Sequence, residues 1–344
     1  MTWFGVVSFQ LMFYYDNLLP DPFGINFIQI LGFYLPLISS PILYMYVYSF
    51  SLGSTFIWKK QWIHLLPFAI FTLICFYLNL IRPNSITFRN GLPIFRNDFP
   101  NWLKNTLSIP LALIPGLYII LSLRVLLRYQ KLIPENYSYT EKINLNWLKW
   151  IVISLLIVFI TLFPLITYGV NLGLVTYENL FAVVGSILTF YLFFIGFFGI
   201  RQTTGFTNIP VETNFEKTTD SKPNYKNSGL NEEMVDDFFQ KLTIHTEENK
   251  PYLDENLSLA MLAEQLGLTS NQLSQIINQK TSTNFFNFIN SYRVEAVKER
   301  LKDPDFAHYS ILAIGYDCGF QSKSSFNKIF KQMVGKTPLE FQKS

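Results

Sequence analysis

Six long apolar stretches precede Arg201 and constrain the fold more than any other feature of the chain: Thr2 to Tyr15, Phe27 to Phe50, Trp62 to Leu80, Leu107 to Leu127, Trp147 to Val170 and Leu180 to Ile200. Runs of about 20 apolar residues match the ~30 Å hydrocarbon layer of a bilayer, where every backbone N–H and C=O must be satisfied inside the protein. The stretches therefore read as membrane helices, the second kinked by Pro36 and Pro41. The first lacks the basic n-region and small-residue cleavage site of a signal peptide. It is short for a crossing and reads as a membrane helix truncated by a start site placed too far downstream, so that a seventh segment would belong in front of it.

Composition shows two different materials joined in one chain. Of 344 residues, 50% are hydrophobic and only 15% charged, far from an ordinary soluble protein, and nearly all the apolar excess lies before Arg201. The expected organisation is a helical transmembrane domain over residues 1–200, a flexible polar linker over 201–230, and a polar globular domain over 231–344.

Within that last domain, Tyr309 to Phe341 carries apolar residues at helical spacing in two runs, Ile311, Ile314 and Tyr316, then Phe326, Ile329 and Phe330, with Gly319 between them. Gly319 permits the left-handed turn, Phe320 plugs the core after it, and Ser322 is placed to cap the second helix. This is a helix-turn-helix pattern. A second copy runs from Leu259 to Lys280: Leu259, Leu262, Ala263 and Leu266 form an apolar face, Gly267 turns, Leu268 plugs, Ser270 caps, and Leu273 and Ile277 face inward. Between them, Asn284 to Leu301 reads as one amphipathic helix with Phe285, Phe288, Ile289, Tyr292, Ala296 and Leu301 inward. Glu232 to Glu247 opens the domain as a helix with Met234, Val235, Phe238, Phe239 and Leu242 inward. Two such motifs on a rigid spacer can enter successive major grooves, about 34 Å apart on one face of a duplex.

Gly319-Phe320, Ser322, Phe326, Phe330-Lys331 and Gly335-Lys-Thr-Pro338 resemble the C-terminal signature of the AraC/XylS family of bacterial transcription regulators, over Asn231 to Ser344. The resemblance implies an all-α chain: a polytopic helical membrane domain followed by a seven-helix AraC-type domain with two helix-turn-helix motifs. It also implies base-edge contacts from Asn271, Ser274 and Gln275 in the first recognition helix and from Lys323, Ser324, Asn327 and Lys328 in the second. Asn and Gln can bond adenine bidentately, and Lys can reach guanine O6 and N7. Where this chain has Gln275 the family often carries an arginine, so the first helix leans less on charge. Lys280, Lys331 and Lys336, with Ser270 and Ser322 at the helix starts, suit phosphate oxygens, which position without specifying. Residues 231–344 hold 12 Lys or Arg against 15 Asp or Glu, but from Ser270 onward the count is 10 against 6, so the cationic side is the one bearing both recognition helices.

Double-stranded promoter DNA, a lipid bilayer and an unidentified signal ligand are then the partners, with RNA polymerase and a second copy of the chain compatible. The location is the bacterial inner membrane, multi-pass, with the C-terminal domain cytoplasmic. Counting back from that end puts Lys59, Lys60, Arg128, Lys131 and Lys142 inside, with Arg124, Lys149 and Arg201 at helix ends on that side, and Asp16, Asp21 and Glu178 outside, as the positive-inside rule asks. One loop dissents: Arg82 to Thr106 carries Arg82, Arg89, Arg96 and Lys104 against Asp98 and counts as outside. His64, His245 and His308 join no carboxylate at metal or catalytic spacing, Cys75 and Cys318 read as small buried hydrophobes, and no phosphate loop occurs. No cofactor, metal or catalytic residue is expected, and the chain reads as a non-enzyme. The alternative reading is a transporter or receptor-like membrane protein with a regulatory DNA-binding tail; no intramembrane acidic residue or pair of broken helices favours it.

Overall fold

A computed structural model of the chain describes residues 2–16, 26–52, 62–89, 92–141, 143–170, 172–176, 179–200 and 231–344. The linker expected over 201–230, and Asp21, Lys59, Lys60, Lys142 and Glu178, lie outside the described residues. The chain divides into two compact units, Met1–Leu127 with Asn146–Phe215 and Arg128–Leu145 with Glu216–Ser344.

Helices stand at all six apolar stretches: α1 (Thr2–Asp16), α2 (Asn26–Tyr34) with α3 (Pro36–Leu52), α4 (Leu66–Ile81), α5 (Asn101–Asn136), α6 (Asn146–Tyr168) and α7 (Leu180–Ile200). Pro36 separates α2 from α3, and the two are bent by 45°, because proline withholds the N–H that would continue the ladder and clashes with the preceding turn. Among the described residues three helices are long and apolar enough to cross a membrane, Trp62–Ile81, Asn101–Asn136 and Asn146–Ile166, and the bent pair makes a fourth. Ala182–Phe197 is a shorter apolar helix, and α1 has 15 residues. Arg124 is exposed on α5.

Between α4 and α5 lies an element that no helical pattern announces, an antiparallel hairpin of β1 (Ile86–Arg89) and β2 (Leu92–Phe95). Asn79 holds it to α4: its Nδ2 donates to the Ile86 carbonyl at 3.2 Å and its Oδ1 accepts from the Ile86 N–H at 3.0 Å. Ile86 and Phe99 bury with Ile30, Tyr34, Cys75 and Leu107, and the Tyr34 hydroxyl donates to the Leu107 carbonyl at 3.1 Å. This unit also contains a largely apolar cavity of about 360 Å³, bordered by Gln10, Phe33, Ser40, Leu162 and Tyr191.

In the second unit, seven α-helices follow Asn231: α8 (Glu232–Asn249), α9 (Leu259–Gln265), α10 (Ser270–Thr281), α11 (Phe285–Lys302), α12 (Ile311–Asp317), α13 (Lys323–Val334) and α14 (Pro338–Gln342). Each begins where a short polar side chain accepts from an otherwise free backbone N–H: Asn231, Ser258, Thr269, Asn284, Ser310, Ser322 and Thr337. α11 belongs to two apolar clusters at once. Its N-terminal half, Phe285, Phe288 and Ile289, packs with Leu259, Leu262, Leu273 and Ile277. Its C-terminal half, Val294, Val297 and Leu301, packs with Ile314, Phe320, Phe326 and Phe330. Two helix-turn-helix motifs therefore share one spine, about 27 Å long for its 18 residues at 1.5 Å each.

Two inward assignments do not hold: Met234 is 40% exposed and Tyr316 46% exposed. Val235 and Leu242 are the buried apolar residues of α8, and Ile314 with Gly315 fills the buried face of α12. Gly315 leaves no room for a side chain there, since a Cβ on it would sit 2.9 Å from the Phe326 ring.

Candidate nucleic-acid interface

The two recognition helices, α10 and α13, start from equivalent turns. Gly267 has φ +67° and Gly319 φ +86°, both left-handed, and in each motif the residue after the glycine returns its N–H to a carbonyl of the first helix, Leu268 to Ala263 at 2.9 Å and Phe320 to Gly315 at 3.2 Å. Ser322 caps α13 as its position suggests, accepting from the Ser325 N–H at 3.1 Å. In α10 the cap is Thr269 rather than Ser270. A capping box selects it: Gln272, three residues on, accepts from the Thr269 N–H at 3.0 Å while Thr269 accepts from the Gln272 N–H at 3.3 Å.

Asn271 and Lys280 on α10, Lys323, Ser324, Lys328 and Lys331 on α13, and Lys336 just beyond it are exposed. Ser270, Ser274, Ser322 and Asn327 are half-buried. Gln275 departs from its expected place: it is 4% exposed and its Oε1 has no hydrogen-bond partner among the described residues. At 3.6 residues per turn it lies about 200° round the helix from Leu273, on the face away from the helix-turn-helix core. A segment other than that core must therefore cover it, and as the structure stands Gln275 does not present its amide to a ligand. Lys280, expected at phosphate, forms an ion pair with Asp236 of α8.

The rigidity of the two motifs rests on a residue that sequence periodicity misses. Arg293 of α11 is 1% exposed, and its guanidinium donates from Nε to the Tyr252 carbonyl at 2.7 Å, from Nη2 to the Asp254 carbonyl at 2.7 Å and from Nη1 to the Ser138 carbonyl at 3.0 Å. Burial draws its pKa down to about 10, opposed by the charges of Asp254 and Glu255, so it stays cationic at neutral pH. Gly319 lies directly against this group: a Cβ there would be 2.4 Å from the Tyr252 carbonyl oxygen and 2.9 Å from Nε of Arg293. Cys318 beside it is fully buried, and burial pushes its thiol up to about 11, which suits a packing role.

Two capped helix-turn-helix motifs on a common helix, each offering polar and cationic side chains outward, define a double helix-turn-helix DNA-binding domain. A family of helix-turn-helix domains matches residues 262–344. The chain is also similar to uncharacterized HTH-type transcriptional regulators of Staphylococcus aureus strains COL and MSSA476, 27% identical over 113 residues in each case. That alignment takes in 33% of this chain and 14% of each relative, so the chain spans about a seventh of the length of the curated relatives it matches. No solved structure matches the chain significantly.

Proposed function

We propose that this protein is a membrane-embedded, sequence-specific transcription regulator of a bacterial cytoplasmic membrane. Its C-terminal domain binds promoter DNA through α10 and α13, and its N-terminal helices carry the signal. The observation that supports this most is the duplicated motif: equivalent glycine turns, side-chain caps and outward polar residues on both sides of α11. A single polar helix face is common, but its repetition on one spine is what a protein that enters two successive major grooves requires. Base reading falls to Asn271, Ser274, Lys323, Ser324, Asn327 and Lys328, and phosphate contact to Ser270, Lys280, Ser322, Lys331 and Lys336. The membrane assignment draws on the three long apolar helices and the bent pair, and the apolar cavity is of the size that takes a small ligand. The test is to map the chromosomal sites bound by the intact protein and footprint them. The expected pattern is a shared sequence with two protected patches about 34 Å apart on one face. Binding without sequence preference, or a single patch, would contradict it.

A further inference from the structure

Residues Arg128–Leu145, the end of α5 and the connection from it to α6, are part of the same compact unit as the C-terminal domain. At 36 residues α5 is about 54 Å long, well beyond the ~30 Å of bilayer hydrocarbon, so its last turns and the segment after them are free to serve that domain. Ser138 is the anchor. It is 1% exposed, its N–H and hydroxyl both donate to the Leu257 carbonyl at 3.2 and 2.7 Å, and its own oxygens accept from Arg293 and from Nδ2 of Asn290. Tyr137 pairs with Ser258 as a short antiparallel bridge.

From this anchor two carboxylates reach the two recognition helices, one each. Glu135 hydrogen-bonds Asn278 of α10, on the outward face where Gln275 is covered. Glu141 accepts from Ser322 Oγ, and from Ser324 Oγ at 2.7 Å, at the N-terminus of α13. Ser322 has one hydroxyl proton, and Glu141 takes it. A helix start with free hydroxyl donors is where a DNA phosphate would dock, and a carboxylate there offers the same anionic oxygens.

We infer that the DNA-binding domain carries a docking surface for the chain's own 128–145 segment, and that this strap and DNA compete for it, Glu141 standing where a phosphate oxygen binds. This rests on the reading of Ser322 and Ser324 as DNA contacts. Because the strap runs directly into α5 and α6, a signal that shifts those helices has a covalent route to the recognition helices.

The test uses the full chain in lipid nanodiscs and a mixed-sequence duplex long enough for two grooves, read by fluorescence anisotropy at fixed salt. Glu141 is exposed, so Glu141→Ala leaves the core intact; it is expected to bind the duplex at least about fivefold tighter, the lower end of ordinary coupling between sites. Glu141→Asp keeps the charge but withdraws it by one methylene, and is expected to gain part of that increase. Saturating DNA is expected to speed hydrogen exchange of the strap amides in the wild-type protein. A gain with Ala and none with Asp would show a plain charge effect and overturn the strap. Unchanged affinity in both variants, with Lys331→Ala still weakening binding, would overturn the strap while leaving DNA binding in place. If neither the wild type nor Glu141→Ala bound duplex even at low salt, both readings would fall.

Discussion

Gly267 and Gly319 occupy equivalent turns, yet different physics holds each. Both need a left-handed backbone, which costs a residue bearing a Cβ about 1–2 kcal/mol. Among the described residues, none beyond its chain neighbours lies within 4 Å of where a Cβ on Gly267 would go, whereas at Gly319 the Tyr252 carbonyl oxygen is 2.4 Å from it. Gly267→Ala is therefore expected to destabilise the domain by about 1 kcal/mol and Gly319→Ala by about 3 kcal/mol, since overpacking adds to the backbone term. Urea unfolding followed by helical circular dichroism separates them, and equal losses would mean that the contact with Tyr252 and Arg293 relaxes freely. Both glycines are recognisable as turns in the sequence. Only the structure distinguishes them, because the carbonyl that crowds Gly319 comes from a residue 67 positions earlier.

At the scale of the recognition helices the cations divide into two roles. Lys331 and Lys336 are assigned to phosphates, so replacing either by Ala should weaken binding to any duplex and flatten the slope of log affinity against log salt by about one unit. Asn271 and Lys328 are assigned to bases, and their Ala variants should lose about 1–3 kcal/mol on the operator with little change on random sequence. A merely solvated face would leave all four variants unchanged, which titration over a salt series would reveal. Periodicity and turn chemistry made these helices, their glycines and the Ser322 cap legible from the residues alone. The Thr269 cap was legible too, but only by noticing that Gln272 completes a capping box with Thr269 and not with Ser270. Thr269→Ala should then cost about 1 kcal/mol of helix stability and Ser270→Ala much less. Arg293 and Gln275 lay beyond such reading. An arginine on an amphipathic helix normally reaches solvent, and what Arg293 meets in the interior is three carbonyls from two distant segments, Tyr252 and Asp254 in one and Ser138 in the other. The hairpin of β1 and β2 was hidden for a similar reason, since four-residue strands carry too little periodicity to stand out from a loop.

For the molecule as a whole, sidedness decides whether the proposed function can operate. Two arguments collide at the loop between α4 and α5. The positive-inside rule counts Lys and Arg with little regard for carboxylates, so Arg82, Arg89, Arg96 and Lys104 pull this loop to the cytoplasm even though Asp98 sits 3.4 Å from Arg82 and 3.2 Å from Arg96. Parity pulls the other way: if α5, α6 and α7 all cross, the loop and the C-terminal domain lie on opposite sides, and a DNA-binding domain has to be inside. α7 is the weak term, because 21 residues reach about 32 Å, barely the hydrocarbon thickness. An alkaline phosphatase inserted after Asp98 is expected to be active, since that enzyme folds only outside, and a fluorescent protein fused after Ser344 is expected to glow. A silent phosphatase beside a glowing C-terminus would mean that α7 does not cross and that the four cations set the loop's side. DNA binding would survive that result with one crossing fewer. An active phosphatase fused after Ser344 would instead place the recognition helices away from the chromosome, and no arrangement of α10 and α13 could then rescue the regulator.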